Sequence, residues 1–155
     1  MRPTVEEQLL GTCRILEKVV SPCVADAYAR TMLEGLIANL RMLTGALPAV
    51  PGFLNSDNRA TAGLLGQLQA VVAPDLAASI ALALGRPEPD AADMTALEQR
   101  NCDLRELLSL ALSGTGLTPA MRAAALAHMT ARAARSPMRY VSTASTPASQ
   151  SAKAT

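Results

Sequence analysis

Between Met94 and Ala111, in the stretch MTALEQRNCDLRELLSLA, apolar side chains return in alternating steps of three and four: Met94, Leu97, Leu104, Leu108 and Ala111. That period lays them along one face of an α-helix and cannot serve a strand, whose faces alternate every second residue. The step from Leu97 to Leu104 lands on Asn101, which sets a carboxamide into an otherwise apolar seam. Leu9, Cys13, Leu16 and Val20 repeat the spacing, and so do Leu33, Leu36, Ile37, Leu40 and Leu43. Segments that each carry one apolar stripe must bury it against other helices. Composition excludes the competing architecture. The 155 residues include two Tyr, one Phe and no Trp, too few of the aromatic types that pleated sheets favour. The expected fold is all-α, a compact helical bundle of about six helices in one domain, residues 1–141.

Punctuation divides the bundle. Thr4 followed by Glu7 is a capping-box pattern that starts a first helix, which runs to about Val20 before Ser21-Pro22. A second is expected from about Ala25 to Thr44, with Gly45 as its C-terminal cap. The segment LPAVPGFLNSDN reads as a turn or an irregular entry, with a third helix continuous from Asn58 to Val72 and Asp57 at its N-cap. Pro74-Asp75 opens a short fourth helix, stopped by Gly85 and Pro87. Asp90 is placed to cap a fifth that ends at Gly114. Thr118-Pro119 opens a sixth that closes near Arg135. The first, second, third and fifth helices are expected to form the core, with the fourth and sixth packed on it. Residues 142–155 are rich in Ser and Thr and hold no large apolar side chain, so a disordered tail is expected there.

The formal charge of +1 conceals a split. Up to Glu106 nine Lys and Arg face all thirteen acids; beyond it there is no acid, only Arg122, Arg132, Arg135, Arg139 and Lys153. An anionic partner, packing of the last helix on an acidic body, and simple solvation all produce such a split. Nucleic acid ranks last, because denser basic patches and aromatic platforms are absent. No stretch reads as a secretory signal, and the most apolar run, Leu64 to Leu84, is broken by Gln67, Gln69 and Pro74-Asp75. The expectation is a protein of the cytoplasm without a membrane span.

Catalytic patterns do not emerge. Cys13, Cys23 and Cys102 are widely spaced with one histidine, His128, so no metal site of recognisable spacing is expected, and Cys13 belongs to an apolar stripe. There is no GxSxG, no phosphate-binding glycine loop and no ExxH pair, hence no expected cofactor. Two polar insertions remain. Asn101, with Arg105 one turn on, and Asn39, with Arg41 close behind, interrupt helical segments. If Asn39 and Asn101 face each other, they satisfy one another and order the bundle. Alternatively Asn39, Arg41, Asn101 and Arg105 line a pocket between helices in which an arginine holds a small carboxylate or phosphate.

Taken together, LEKVVSP, IANLRML, NCDLRELLSLAL and ARSPMRYV resemble segments of small bacterial helical proteins encoded beside, or fused to, aminoglycoside-phosphotransferase-like kinases. The resemblance implies an accessory role beside a kinase-like or acyl-CoA-metabolising enzyme. The leading expectation is therefore a non-catalytic interaction protein that docks on a partner or self-associates. A small-molecule binder or cofactor-free enzyme using the Asn/Arg pocket is the alternative.

Overall fold

The computed structural model describes residues 2–137, and every regular element among them is helical. Six α-helices follow in order: α1 (Val5–Ile15), α2 (Ala27–Ala46), α3 (Val50–Leu68), α4 (Pro74–Leu84), α5 (Met94–Ser113) and α6 (Pro119–Arg135). No described helix is long and apolar enough to cross a membrane. The expected tail, residues 142–155, lies outside the described residues.

The ends of these helices follow local chemistry. The capping box of α1 is formed on both sides, with the Glu7 amide donating to Thr4 Oγ1 at 3.1 Å and the Thr4 amide to Glu7 Oε2 at 2.8 Å. After Ile15 the ladder widens into a π-turn, Leu16–Val20, and then tightens into a 3-10 turn, Ser21–Cys23. Pro22 has no amide to continue the α-helical ladder, which accounts for the change of pitch before it. Asp26 caps α2 through the Ala29 amide, and α2 runs through Gly45 without a left-handed break. That corrects the expected stop at Gly45.

The larger correction concerns LPAVPGFLNSDN. A 3-10 turn, Leu47–Ala49, leads directly into α3 at Val50. Pro48 and Pro51 each fall in the first turn of a helical element, where a missing amide costs no hydrogen bond. They start helices rather than interrupt one. Asp57 is consequently an interior residue of α3 and not its cap, and α3 ends at Leu68, short of Val72. Asp93, rather than Asp90, caps α5, accepting from the Ala96 amide at 3.0 Å; Asp90 turns the linker by accepting from Ala92.

Two parts result. In the body, α3 packs on α4, α5 and α6, and α4 also packs on α5. Their shared core holds Leu65, Leu68, Ile80, Leu104 and Ala111, each at most 1% exposed. Burying a Leu or Ile side chain contributes roughly 1.5–3 kcal/mol, and the single methyl of Ala111 less. A smaller cluster of Val50, Leu54 and Leu97 continues the α3–α5 seam. The loop before α6 lies close to the end of α3, where a Cβ on Gly116 would stand 2.6 Å from the Val71 carbonyl oxygen. Only glycine fits there.

In the second part, α1 and the turns that follow it pack on α2 as a hairpin, with Cys13 and Ile37 buried. The 3-10 turn Leu47–Ala49 contacts both α2 and α3 and joins hairpin to body. The core is therefore formed by α3 to α6, whereas the sequence assigned its central places to the first and second helices and peripheral ones to the fourth and sixth.

Candidate functional site

The apolar stripe of α3 carries Val50, Leu54, Asp57, Asn58, Thr61, Leu64, Leu65 and Leu68, all buried. Once the helix starts at Val50, its three- and four-residue steps bring Asp57 and Thr61 onto the inner face. The α5 stripe of Leu97, Asn101, Leu104, Leu108 and Ala111 is buried against it. Helix α3 thus contributes Asp57, Asn58 and Thr61 to the middle of an apolar seam and α5 contributes Asn101, which meets Asp57 and Asn58.

The Asn101 side chain is fully occupied. Its Nδ2 donates to Asp57 Oδ2 at 2.8 Å and to Asn58 Oδ1 at 2.9 Å. Asn58 Nδ2 in turn donates to the Leu97 carbonyl at 3.1 Å. From α6, Arg132 Nε donates to Asp57 Oδ2 at 2.8 Å, and its Nη2 lies 3.5 Å from Asn101 Oδ1. The Arg132 guanidinium also stands 5.8 Å from the centroid of the Phe53 ring, within cation–π range. One turn earlier on α6, His128 Nε2 and Thr61 Oγ1 are hydrogen-bonded at 3.1 Å. Three helices are tied together at one level, around a carboxylate with no exposed surface.

Asp57 Oδ1 is the one buried side-chain oxygen or nitrogen among the described residues without a hydrogen-bond partner. The Arg132 side chain, 27% exposed, is the route by which this cluster reaches the surface. There it meets a groove of about 480 Å³ between α5 and α6, lined by Arg105, Leu108, Ser109, Leu112, Ser113, His128, Met129, Arg132 and Ala133. Both helices lie on α3, which leaves this furrow between them.

The four residues expected to share a pocket are not brought together. Asn39 is exposed on α2, in the hairpin, and Arg41 there is committed to Glu17 at 2.7 Å. Asn101 is buried in the body and bonded to Asp57 and Asn58, so it does not face Asn39. Arg105 is exposed at the α5–α6 groove. With Asp57 expected at a helix start, the sequence does not show the partners of Asn101; inside α3 Asp57 and Asn58 reach it. His128 is half-buried and hydrogen-bonded to Thr61.

The arginines of α6 turn toward their own chain. Arg132 neutralises Asp57, Arg122 reaches the Gly114 carbonyl at 3.4 Å and Arg135 reaches Ser56 Oγ at 3.3 Å. Of the three readings of the charge split, packing against an acidic body describes Arg132. Among the described residues no three His, Cys, Asp or Glu side chains gather as metal ligands would. Cys13 is buried, while Cys23 and Cys102 are exposed, and all three are free thiols. No family model, curated protein or solved structure matches this chain.

Proposed function

We propose that this chain is a non-catalytic assembly protein, whose α1–α2 hairpin pairs with the hairpin of a second copy. One observation carries the reading: among the described residues, nine of the thirteen exposed large apolar side chains lie on residues 5–47. Val5, Val19 and Tyr28 are 68%, 61% and 74% exposed. Contiguous exposed apolar surface of this kind marks an interaction face more often than scattered single residues do.

Helical phase gathers these residues on one side. The Glu17–Arg41 pair marks one edge of the α1–α2 contact. Counted at about 100° per residue, Val5 and Ile15 on α1 and Tyr28, Met32 and Leu36 on α2 fall toward the opposite edge, and Val19 is exposed on the π-turn that follows α1. Two such hairpins, face to face, make a four-helix bundle in which each apolar side covers the other. A helix of 20 residues is ~30 Å long, so a two-helix face offers roughly 600 Å² per copy. The total of about 1,200 Å² is at the lower end of what a specific interface needs. Charge favours a second copy. Residues 4–47 hold five acids and four bases, so like hairpins meet with little repulsion. Asn39 shares the outer phase of Tyr28, Met32 and Leu36, and a carboxamide there sets register.

The resemblance to kinase-associated helical proteins adds that such a dimer serves a neighbouring enzyme. Light scattering during size-exclusion chromatography tests the pairing. The full chain should elute at twice its 16.1 kDa mass, and Met32→Glu with Leu36→Glu should elute as a helical monomer. A wild-type monomer across the accessible concentration range overturns the reading, and so does a 1:1 complex with a host enzyme through the same face.

A further inference from the structure

The α5–α6 groove is chemically unlike the hairpin face. Among the side chains lining it none is acidic, while Arg105, His128 and Arg132 come to it from two helices. The remainder of its wall is largely apolar, with Leu108, Leu112 and Met129. Its volume of about 480 Å³ falls in the range of ~300–1,000 Å³ usual for small-ligand sites.

What distinguishes the groove from an ordinary surface furrow is the support behind it. Arg132 is fixed at Nε by the buried Asp57 carboxylate and lies beside the Phe53 ring. His128 is fixed at Nε2 by the fully buried Thr61, which leaves Nδ1 for other partners. Side chains held this way lose little rotamer freedom when a ligand arrives, which is the advantage of a preorganised site. Asp57 offsets one of the two arginine charges, and Arg105 on the facing helix supplies the uncompensated one.

We infer that this groove binds a small amphipathic anion, a carboxylate or phosphate head carried on a short apolar tail. The head lies between Arg105 and Arg132, with His128 as a further contact, and the tail lies along Leu108, Leu112 and Met129. Guanidinium groups suit both head types because their planar N–H fork matches either anion. The inference is independent of hairpin pairing, since none of these residues lies on α1 or α2.

Calorimetric titration of the full-length protein with octanoate, octyl phosphate and octanol decides it. Both anions should bind at least about tenfold more tightly than octanol, a difference of ~1.4 kcal/mol. Whichever anion binds more tightly identifies the head group. Arg105 is exposed and outside the buried network, so Arg105→Gln should keep the wild-type melting temperature while weakening the preferred anion about tenfold. Ser109→Leu, which fills the groove without changing charge, should weaken both anions and octanol alike. Equal affinity for octanol and the anions, unchanged binding in Arg105→Gln, or no heat from any probe at millimolar concentration would each overturn the inference.

Discussion

In α5, Leu97 and Leu104 are 1% exposed, whereas in α2 Met32 and Leu36 are 53% and 49% exposed. Both helices are 20 residues long, and both repeat large apolar side chains at three- and four-residue steps. The difference lies in their neighbours. Helix α5 is covered by α3 and α4, while the main helical partner of α2 is α1. A two-helix hairpin can hide one face of each member, and a second apolar face stays in water. Amphipathic period therefore tells which residues seek cover and is silent on whether the same chain provides it. The two parts differ likewise in how they treat polar groups. The body encloses Asp57, Asn58, Thr61 and Asn101 and pairs them with one another or with α6. The hairpin's inter-helix ion pair, Glu17–Arg41, stays at least partly in solvent on both sides.

Substituting matched leucines on the two parts breaks this comparison most directly. Leu104→Ala removes a fully enclosed side chain and should cost about 4 kcal/mol, within the range for such cavities. Leu36→Ala, measured in urea at concentrations dilute enough for monomers, should change stability by no more than ~0.5 kcal/mol. Equal costs would mean that the hairpin face is already covered within one chain. The polar cluster comes next. Arg132→Leu leaves the Asp57 carboxylate enclosed without its counter-ion and should cost about 3 kcal/mol. That is the low end for broken buried pairs, because Arg132 is itself part-exposed. Adding Asp57→Asn to Arg132→Leu removes the stranded charge and should recover roughly 1 kcal/mol or more. If the double variant is less stable than Arg132→Leu, the cluster is not held together by its charges.

Much of the architecture is legible in the sequence because its signals are local. The Thr4–Glu7 box, the Pro74 and Thr118-Pro119 starts and the Gly114 stop all act within a turn of the backbone they fix. The α5 seam reads correctly, including the burial of Asn101. The misplaced start of α3 had a wider effect. Pro48, Pro51 and Gly52 resemble breakers, yet prolines in a first turn do no harm, and nothing in LPAVPG distinguishes the two uses. Read as breakers, they put Asp57 at a cap instead of in the core and hide the partner of Asn101. Once α3 begins at Val50, the steps through Leu54, Asp57 and Thr61 to Leu64 match the α5 pattern. The joining of Arg132 to this cluster is a fact of how α6 crosses α3, and spacing along either helix carries no trace of it. The choice of α3 to α6 as the body, with α1 and α2 set apart, is tertiary in the same way.

The smallest effect concerns the surface of the body, where Arg59 on α3 holds Glu88 of the α4–α5 linker by Nε at 3.2 Å and Nη2 at 2.8 Å. The hydrogen bond from Arg59 lowers the Glu88 carboxyl below its ordinary range, opposed by desolvation and aided by the charges of Arg59 and Arg100. A folded-state value below the unfolded one means that this pair stabilises the protein above the unfolded carboxylate range. The contribution is then lost as pH falls through the folded value. Both groups are exposed, so the effect is small and screened by salt. Thermal melts of Glu88→Gln should fall just below wild type at neutral pH in low salt, and the two curves should converge as the carboxyl is protonated. The gap should also close in high salt, since water already competes for both partners. A gap that persists at acid pH would assign the stabilising role to the packing of the linker on α3, with the charge of Glu88 incidental to it.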